Sequence, residues 1–436
     1  MPRTTWSLLA GMLLSAGVAC ATPLAADNTT LPVDPQGFAS RTLTLNDALT
    51  LAGTDNPELA AARAVVVASA ADAEQSARFV NPELAIEVEN FAGRDTQRGF
   101  DGAEMTLRLD QRFELGGQRG QRRALARAAY AVVVQQQNLI QAQIHLQTVE
   151  AFMTLLAAQQ QQLLAEEQLQ LTRRVGESIQ AKIDTGKSPT IDAVRFQPLL
   201  IEARLERDRA TGALTVARQA LAAVLGLDSA AKIVAQGALD QLPEPPATQS
   251  VAAAPEMMLA AAAREQASAE LAGAKLQSIP DLTLGVGVRR FEESGDTALV
   301  AGISLPLPLF DRNRSGVAAA AARLEQTRQL EQSRRLQSAT AIARADAELR
   351  NTLTETRALQ DELLPAAEQT FAAIDYGYQA GKYGLLELLD AQQQLTGLRS
   401  RLLATQVACH VAAARLNSLL GRTLPAGGAP FEHNDQ

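Results

Sequence analysis

Four charged residues stand where two long helix-patterned segments turn back on themselves. Glu387 and Asp390 are three apart, so a helix presents both carboxylates on one face. Asp192 and Arg195 repeat that spacing 195 residues earlier, with a cation in the place of the second acid. Arg195 is thus a candidate partner for one of the acids. The plainer reading is four solvated charges on helix surfaces, where exposed pairs contribute about 0–1 kcal/mol. The adjoining Gly186-Lys187-Ser188-Pro189 and Gly381-Lys382-Tyr383-Gly384 are tight turns and candidate contact points for another protein.

Other chemistry is sparse. His145, His410 and His433 are scattered and form no metal-ligand cluster, so no metal or cofactor is expected. Cys409 continues the seven-residue line Leu388, Leu395, Leu402 and Leu416, which reads as core packing. No Ser/His/Asp set, paired-Cys motif, zinc signature or phosphate-binding Gly-rich loop occurs, and an enzyme is not expected. With a net charge of −8 and both signs interspersed, nothing points to nucleic acid.

The elements that position the four charges are long. Gln121 to Val175 holds 55 residues without Gly or Pro, on the order of 80 Å as a helix. Apolar residues recur every seven positions at Leu125, Val132, Leu139, Leu146 and Met153. A second line runs through Ala128, Gln135, Ala142, Val149, Leu156 and Leu163. The two lines predict a coiled-coil seam. The helix stops near Thr185 to Pro189 and a return helix runs from about Thr190 to Leu225-Gly226.

At the N-terminus, Arg3, the apolar Trp6 to Ala19 and the small residues Ala19-Cys20-Ala21 follow a signal-peptide plan. Cleavage is placed after Ala21 or Ala26, and Cys20 leaves lipidation open. Residues 22–41 read as an extended leader. A helix then starts with Thr44 or Asn46 as cap, is interrupted at Asn56-Pro57 and runs to about Arg78. After Pro82 the period changes to two: Leu84, Ile86 and Val88, then Met105, Leu107 and Leu109 past a turn from Gly93 to Gly102. That is a hairpin of strands about ten residues long.

The plan repeats. Pro57-Glu58 returns as Pro255-Glu256 and Pro82-Glu83-Leu84 as Pro280-Asp281-Leu282, both at an offset of 198. Phe113 is matched by Phe310 and Gly120 by Gly316; Gly186-Lys187 and Leu225-Gly226 return 195 residues later as Gly381-Lys382 and Leu420-Gly421. The expected organisation is a signal (1–21), a leader (22–41), a first repeat (42–227), a linker (228–254), a second repeat (255–421) and a loose tail (422–436). The second long helix runs from Val317 to Leu364, with a kink expected at Pro365.

The strands alternate apolar with polar or small residues, over the ~9–11 residues that a tilted strand needs to cross an outer membrane. Four strands cannot close a barrel, since the smallest have about eight, so several subunits must share one. A small soluble sheet capping a helical domain is the alternative.

The mature chain resembles the TolC-like outer-membrane factor family. The resemblance is carried by Leu43-Thr44-Leu45-Asn46-Asp47-Ala48 with Asn56-Pro57, by Phe113-Glu114-Leu115-Gly116-Gly117, by Tyr378 with Gly381-Lys382, and by Leu385-Leu386-Glu387-Leu388-Leu389-Asp390-Ala391. Phe113 to Arg119 and Pro306 to Arg314 resemble the CzcC-like cation-efflux branch. The resemblance implies a mainly α fold with a small β portion. Duplicated long helical hairpins would form a periplasmic α-barrel, and four transmembrane strands per chain would join a 12-stranded β-barrel in a homotrimer. It implies an outer-membrane channel with a periplasmic adaptor and a resistance-nodulation-division pump as partners, for heavy-metal cations. Export of drugs or of proteins by type I secretion is the alternative within the family, and a structural periplasmic coiled coil the alternative outside it. Glu387 and Asp390 would then ring a periplasmic gate that attracts cations, with Asp192 and Arg195 beside them, and the two glycine turns would dock the adaptor.

Overall fold

A computed structural model describes residues 41–92, 100–228, 233–246 and 250–422. The signal segment with Cys20, nearly all of the leader, residues 93–99 of the first hairpin turn, and the tail beyond 422 with His433 lie outside the described residues.

The chain enters through β1 (Arg41–Leu43). Thr44 caps α1 (Leu45–Asp55): the Asp47 amide donates to its hydroxyl, and the Asp47 carboxylate accepts from the Thr44 amide at 2.9 Å. Asn56 ends α1 and caps α2 (Pro57–Ser76), with Oδ1 accepting from the Glu58 and Leu59 amides at 2.9 and 3.1 Å. Its Nδ2 donates across the fold to the Val224 carbonyl at 2.8 Å.

Four strands follow in two hairpins: β2 (Glu83–Glu89) and β3 (Glu104–Phe113), and later, after β4 (Ile233–Ala235), β5 (Leu282–Phe291) and β6 (Thr297–Ser304). They form one antiparallel sheet in the order β2-β3-β5-β6, so the two halves of the chain join through β3 and β5. The register puts Leu84, Leu109, Val286 and Ala301 in one row, and Ile86, Leu107, Val288 and Leu299 in another on the same face. This face is bare: Leu84 is 64%, Val286 63% and Leu299 88% exposed. The opposite face carries Arg108, Asp110 and Arg289, with Gly285 and Gly287 leaving room for the Asp110 and Arg108 side chains. Strands β2 and β6 each pair on one side only among the described residues.

The helices are α3 (Gln118–Asp184), α4 (Ile191–Val224), α5 (Pro255–Leu276), α6 (Arg314–Ala358), α7 (Leu364–Gln379) and α8 (Leu385–Leu419). At 67 residues α3 is about 100 Å long. No described helix is long and apolar enough to cross a membrane.

The seven-residue period on α3 holds, and the expected seam is buried at Val149, Met153 and Leu156, but beyond Leu156 the phase shifts. Towards the turn the buried line is Ala158, Ala165, Thr172 and Ile179, with Leu155 and Leu169 beside it, while Leu163 is 59% exposed. Since α3 packs against α2, α4, α5 and α8, it carries apolar residues on several flanks. A period identifies a repeat without saying which flank meets which neighbour.

Before Pro365 the helix departs from α geometry without ending. A single π turn, Leu359–Leu363, separates α6 from α7, and Pro365 sits in the first turn of α7 where its missing N–H costs nothing. The inward-facing line runs Ile342, Leu349, Thr356, then Leu364, Phe371 and Tyr378. Its spacing is seven everywhere except for the eight across the turn, so the wider turn absorbs one extra residue.

The stretch expected as a linker is partly built into the core. β4 pairs parallel with β1, and Ile233, Ala235 and Leu239 are buried with Phe152, Leu155 and Leu221. The Gln159 side chain on α3 extends this small sheet, donating to the Ala235 carbonyl at 3.0 Å and accepting from its amide at 2.8 Å.

Candidate functional site

The two helical hairpins turn by the same local device. Gly186 and Gly381 lie in the left-handed region, at φ +69° and +76°. The following amide reaches back five residues, Lys187 to the Lys182 carbonyl and Lys382 to the Gly377 carbonyl, both at 2.8 Å. This is the Schellman ending that glycine permits. Beneath the turns Val175, Ile179, Phe196, Tyr378 and Leu388 form a small buried cluster. The four charges are therefore carried at the closed end of a packed four-helix unit.

Glu387 and Asp390 are both exposed on α8. The Glu387 carboxylate folds back over Gly384, at the helix start where backbone amides favour an anion. Asp390 accepts from the Gln394 side chain one turn on, at 3.0 Å. Asp192, half-buried, accepts from the Ser188 hydroxyl at 2.7 Å. Arg195 is exposed and makes no ion pair among the described residues, so within one chain it reaches neither acid of α8. Of the turn residues, Lys187, Pro189 and Lys382 are exposed, and so are Gly186, Gly381 and Gly384. Ser188 is half-buried, and Tyr383 lays its ring against Gly377.

One contact across the turn region was not legible from spacing. Lys182 on α3 donates from Nζ to the Tyr378 carbonyl on α7 at 3.0 Å, and the same ammonium sits 3.4 Å from the Tyr378 ring centroid. Ser178, one turn along α3 from Lys182, lies near the Tyr378 hydroxyl and opposes the shift of its pKa. Burial, then the nearby Asp192 carboxylate, push the Tyr378 phenol above its usual pKa; burial, then Lys187, pull the Lys182 ammonium below its own. The four-residue spacing of Ser178 and Lys182 on one helix face was the available signal. It named no partner.

The described residues contain no group of three metal-ligating side chains. What this end offers is electrostatic: exposed carboxylates on rigid helices, fit to bias the passage of ions or to meet a charged partner.

The chain is similar to proteins of one kind. The outer membrane efflux protein family matches residues 48–227 and again 247–422. The cobalt-zinc-cadmium resistance protein CzcC of Cupriavidus metallidurans is 30% identical over 403 residues, covering 90% of this chain and 93% of that protein. The nickel-cobalt-cadmium resistance protein NccC of Alcaligenes xylosoxydans is 28% identical over 66% of this chain and 68% of its own length. Among solved structures, CusC superposes with a TM-score of 0.75 at 21% identity, over 87% of this chain and 92% of that one. The open-state outer membrane channel MtrE of Neisseria gonorrhoeae also gives 0.75, at 18% identity over 87% and 89% of the two chains. A twofold match spanning most of the sequence, a relative aligned nearly end to end, and a shared fold of strand hairpins and long helical hairpins agree: this chain belongs to the outer membrane efflux protein family and works in the outer membrane.

Proposed function

We propose that three copies of this chain form a passive conduit from periplasm to exterior, the outer-membrane part of a tripartite system exporting heavy-metal cations. The observation that carries this is the open four-stranded sheet. It is apolar on one face and charged on the other, and among the described residues each edge is unpaired. Unpaired backbone groups are not tolerated in lipid, and four strands are half of what the smallest barrel needs. Three copies edge to edge supply twelve strands with the apolar face towards lipid. Two structural repeats, 42–227 and 255–421, then give each copy two helical hairpins that continue the barrel as a tunnel. The similarity to CzcC and NccC favours metal cations as cargo over drugs or proteins. Energy and cargo selection fall to an inner-membrane pump of the resistance-nodulation-division type. A periplasmic adaptor meets the turns at Gly186-Lys187-Ser188-Pro189 and Gly381-Lys382-Tyr383-Gly384.

In this reading Glu387 and Asp390 from three copies place six carboxylates around the far end of the tunnel. Such a ring favours cations and excludes anions. Asp192 lines the same end, and Arg195, which makes no ion pair among the described residues, reaches a carboxylate of the adjacent copy. The test is planar-bilayer conductance of the purified channel with Glu387→Ala, Asp390→Ala and the double substitution. Cation selectivity falls in the double variant; unchanged selectivity and conductance reject the acidic ring. Cross-linking from substituted Lys382 or Ser188 to the adaptor tests the docking turns separately.

A further inference from the structure

The strand register fixes which end of the sheet faces the helices. Phe113 lies opposite Leu282 and Thr283 opposite Ser304, so β3 and β6 end where β5 begins. The segments leaving this end expose large apolar side chains: Phe79 at 74%, Leu307 and Leu309 at 67%, and Phe310 at 102%. Arginines are interleaved with them at Arg78, Arg119, Arg312 and Arg314. None of these four makes an ion pair among the described residues, and they outnumber the two acids of this end that are also without one, Glu83 and Asp311. Glu114 is held by Arg122 at 2.6 Å and Asp281 by Arg112 at 2.5 Å. Arg119 places its guanidinium 3.7 Å from the Phe79 ring centroid while Nε donates to the Ala77 carbonyl at 2.6 Å. At the opposite end of the sheet the described arginines are paired, Arg289 with Glu89 and Glu104 and Arg290 with Glu292.

We propose that this helix-side belt binds anionic glycerophospholipid in the periplasmic leaflet. The inference rests on the outer-membrane placement and on the barrel reading. The belt continues the apolar face of the sheet at the depth where hydrocarbon gives way to headgroups. Aromatic and long apolar side chains partition there, and arginine stems extend to the polar side. A guanidinium without a carboxylate matches a phosphate in a two-pronged geometry that an ammonium lacks. The excess of positive charge at this end favours a headgroup with net negative charge over a zwitterionic one.

The test is native mass spectrometry of the detergent-extracted full-length trimer. Equal amounts of phosphatidylglycerol and phosphatidylcholine with identical acyl chains are offered. Wild type retains phosphatidylglycerol by about five-fold or more, the ratio expected of one well-placed arginine charge. In the triple variant Arg78→Gln, Arg312→Gln, Arg314→Gln the ratio falls towards one, with trimer mass and conductance unchanged. Equal retention by wild type, an unchanged ratio in the variant, or loss of the preference on adding inorganic phosphate alone overturns the proposal. So does dissociation of the variant into monomers, which makes the arginines subunit contacts instead. Should the triple variant fail to reach the membrane, Arg312→Gln alone, in a segment outside helix and strand, is expected to give a smaller shift in the same direction. No shift overturns the proposal there too. A conducting trimer without lipid preference removes this inference only; a chain that forms no membrane trimer removes the function proposed above.

Discussion

Lys182 on α3 and Tyr378 on α7 are 196 residues apart in the chain, and one ammonium contacts both the carbonyl and the ring of the tyrosine. The first helical hairpin is thereby tied to the second at the turn end, just above the exposed acids of α8. Replacing Lys182 by Met keeps the stem and removes the charge. A part-exposed cation–π contact and one charge-assisted hydrogen bond together amount to roughly 1–2 kcal/mol. Faster amide exchange is expected across residues 371–384, with little change in the sheet. Exchange identical to wild type in that segment rejects the tie.

Helix-ending glycines separate strain from crowding. Gly226 and Gly421 close α4 and α8 at φ +71° and +67°, and they are pressed against the chain entering α2 and α5 respectively. A Cβ on Gly226 would lie 2.5 Å from the Asp55 carbonyl oxygen, whereas at Gly186 it meets nothing within 4 Å. Gly186→Ala therefore costs only the left-handed conformation, about 1–2 kcal/mol. Gly226→Ala adds a backbone collision and is expected to lower the denaturation midpoint clearly more. Equal midpoints for the two variants contradict this account.

Acid should loosen the core where the second half of the chain meets the β1–β4 sheet. His410 lies on α8 with Nε2 3.3 Å from the Leu239 carbonyl oxygen. Burial lowers its pKa, only partly offset by that bond, and burial also lowers that of His145. The unfolded chain thus binds protons more readily than the folded one. Stability is fully present above the usual imidazole value of 6.5 and is lost as pH falls through it towards the folded values. Replacing His410 by Gln flattens the dependence of thermal midpoint on pH between about 7 and 5. A wild-type midpoint constant over that range excludes the mechanism.

The π turn makes opposite forecasts for two single-residue deletions. Removing Asp361 lets an ordinary helix run through with Leu364, Phe371 and Tyr378 in the phase of Thr356, and is expected to be tolerated. Removing Ala347 rotates the buried Leu349 and Leu353 by about 100° and disrupts their packing on α8. Circular dichroism melts should separate the two deletions by several degrees; the reverse order of stability contradicts the phase argument.

Much of this architecture is local chemistry written in the chain. Thr44 with Asp47, Asn56 before Pro57, and the glycines at 186, 226, 381 and 421 act within a few residues, so their types alone mark where helices begin and end. The alternation in β2, β3, β5 and β6 likewise marks strands with two unlike faces. Tertiary structure alone decided the rest. Only the fold joined β3 to β5 as Leu107 opposite Val288, drew Ile233–Ala235 into the core through Gln159, and set Lys182 against Tyr378. It also chose Ala158, Ala165 and Thr172 over Leu163 for the buried line of α3. A helical or strand period specifies a direction around or across one element. Its partner depends on contacts between residues far apart in the chain, which no local pattern encodes.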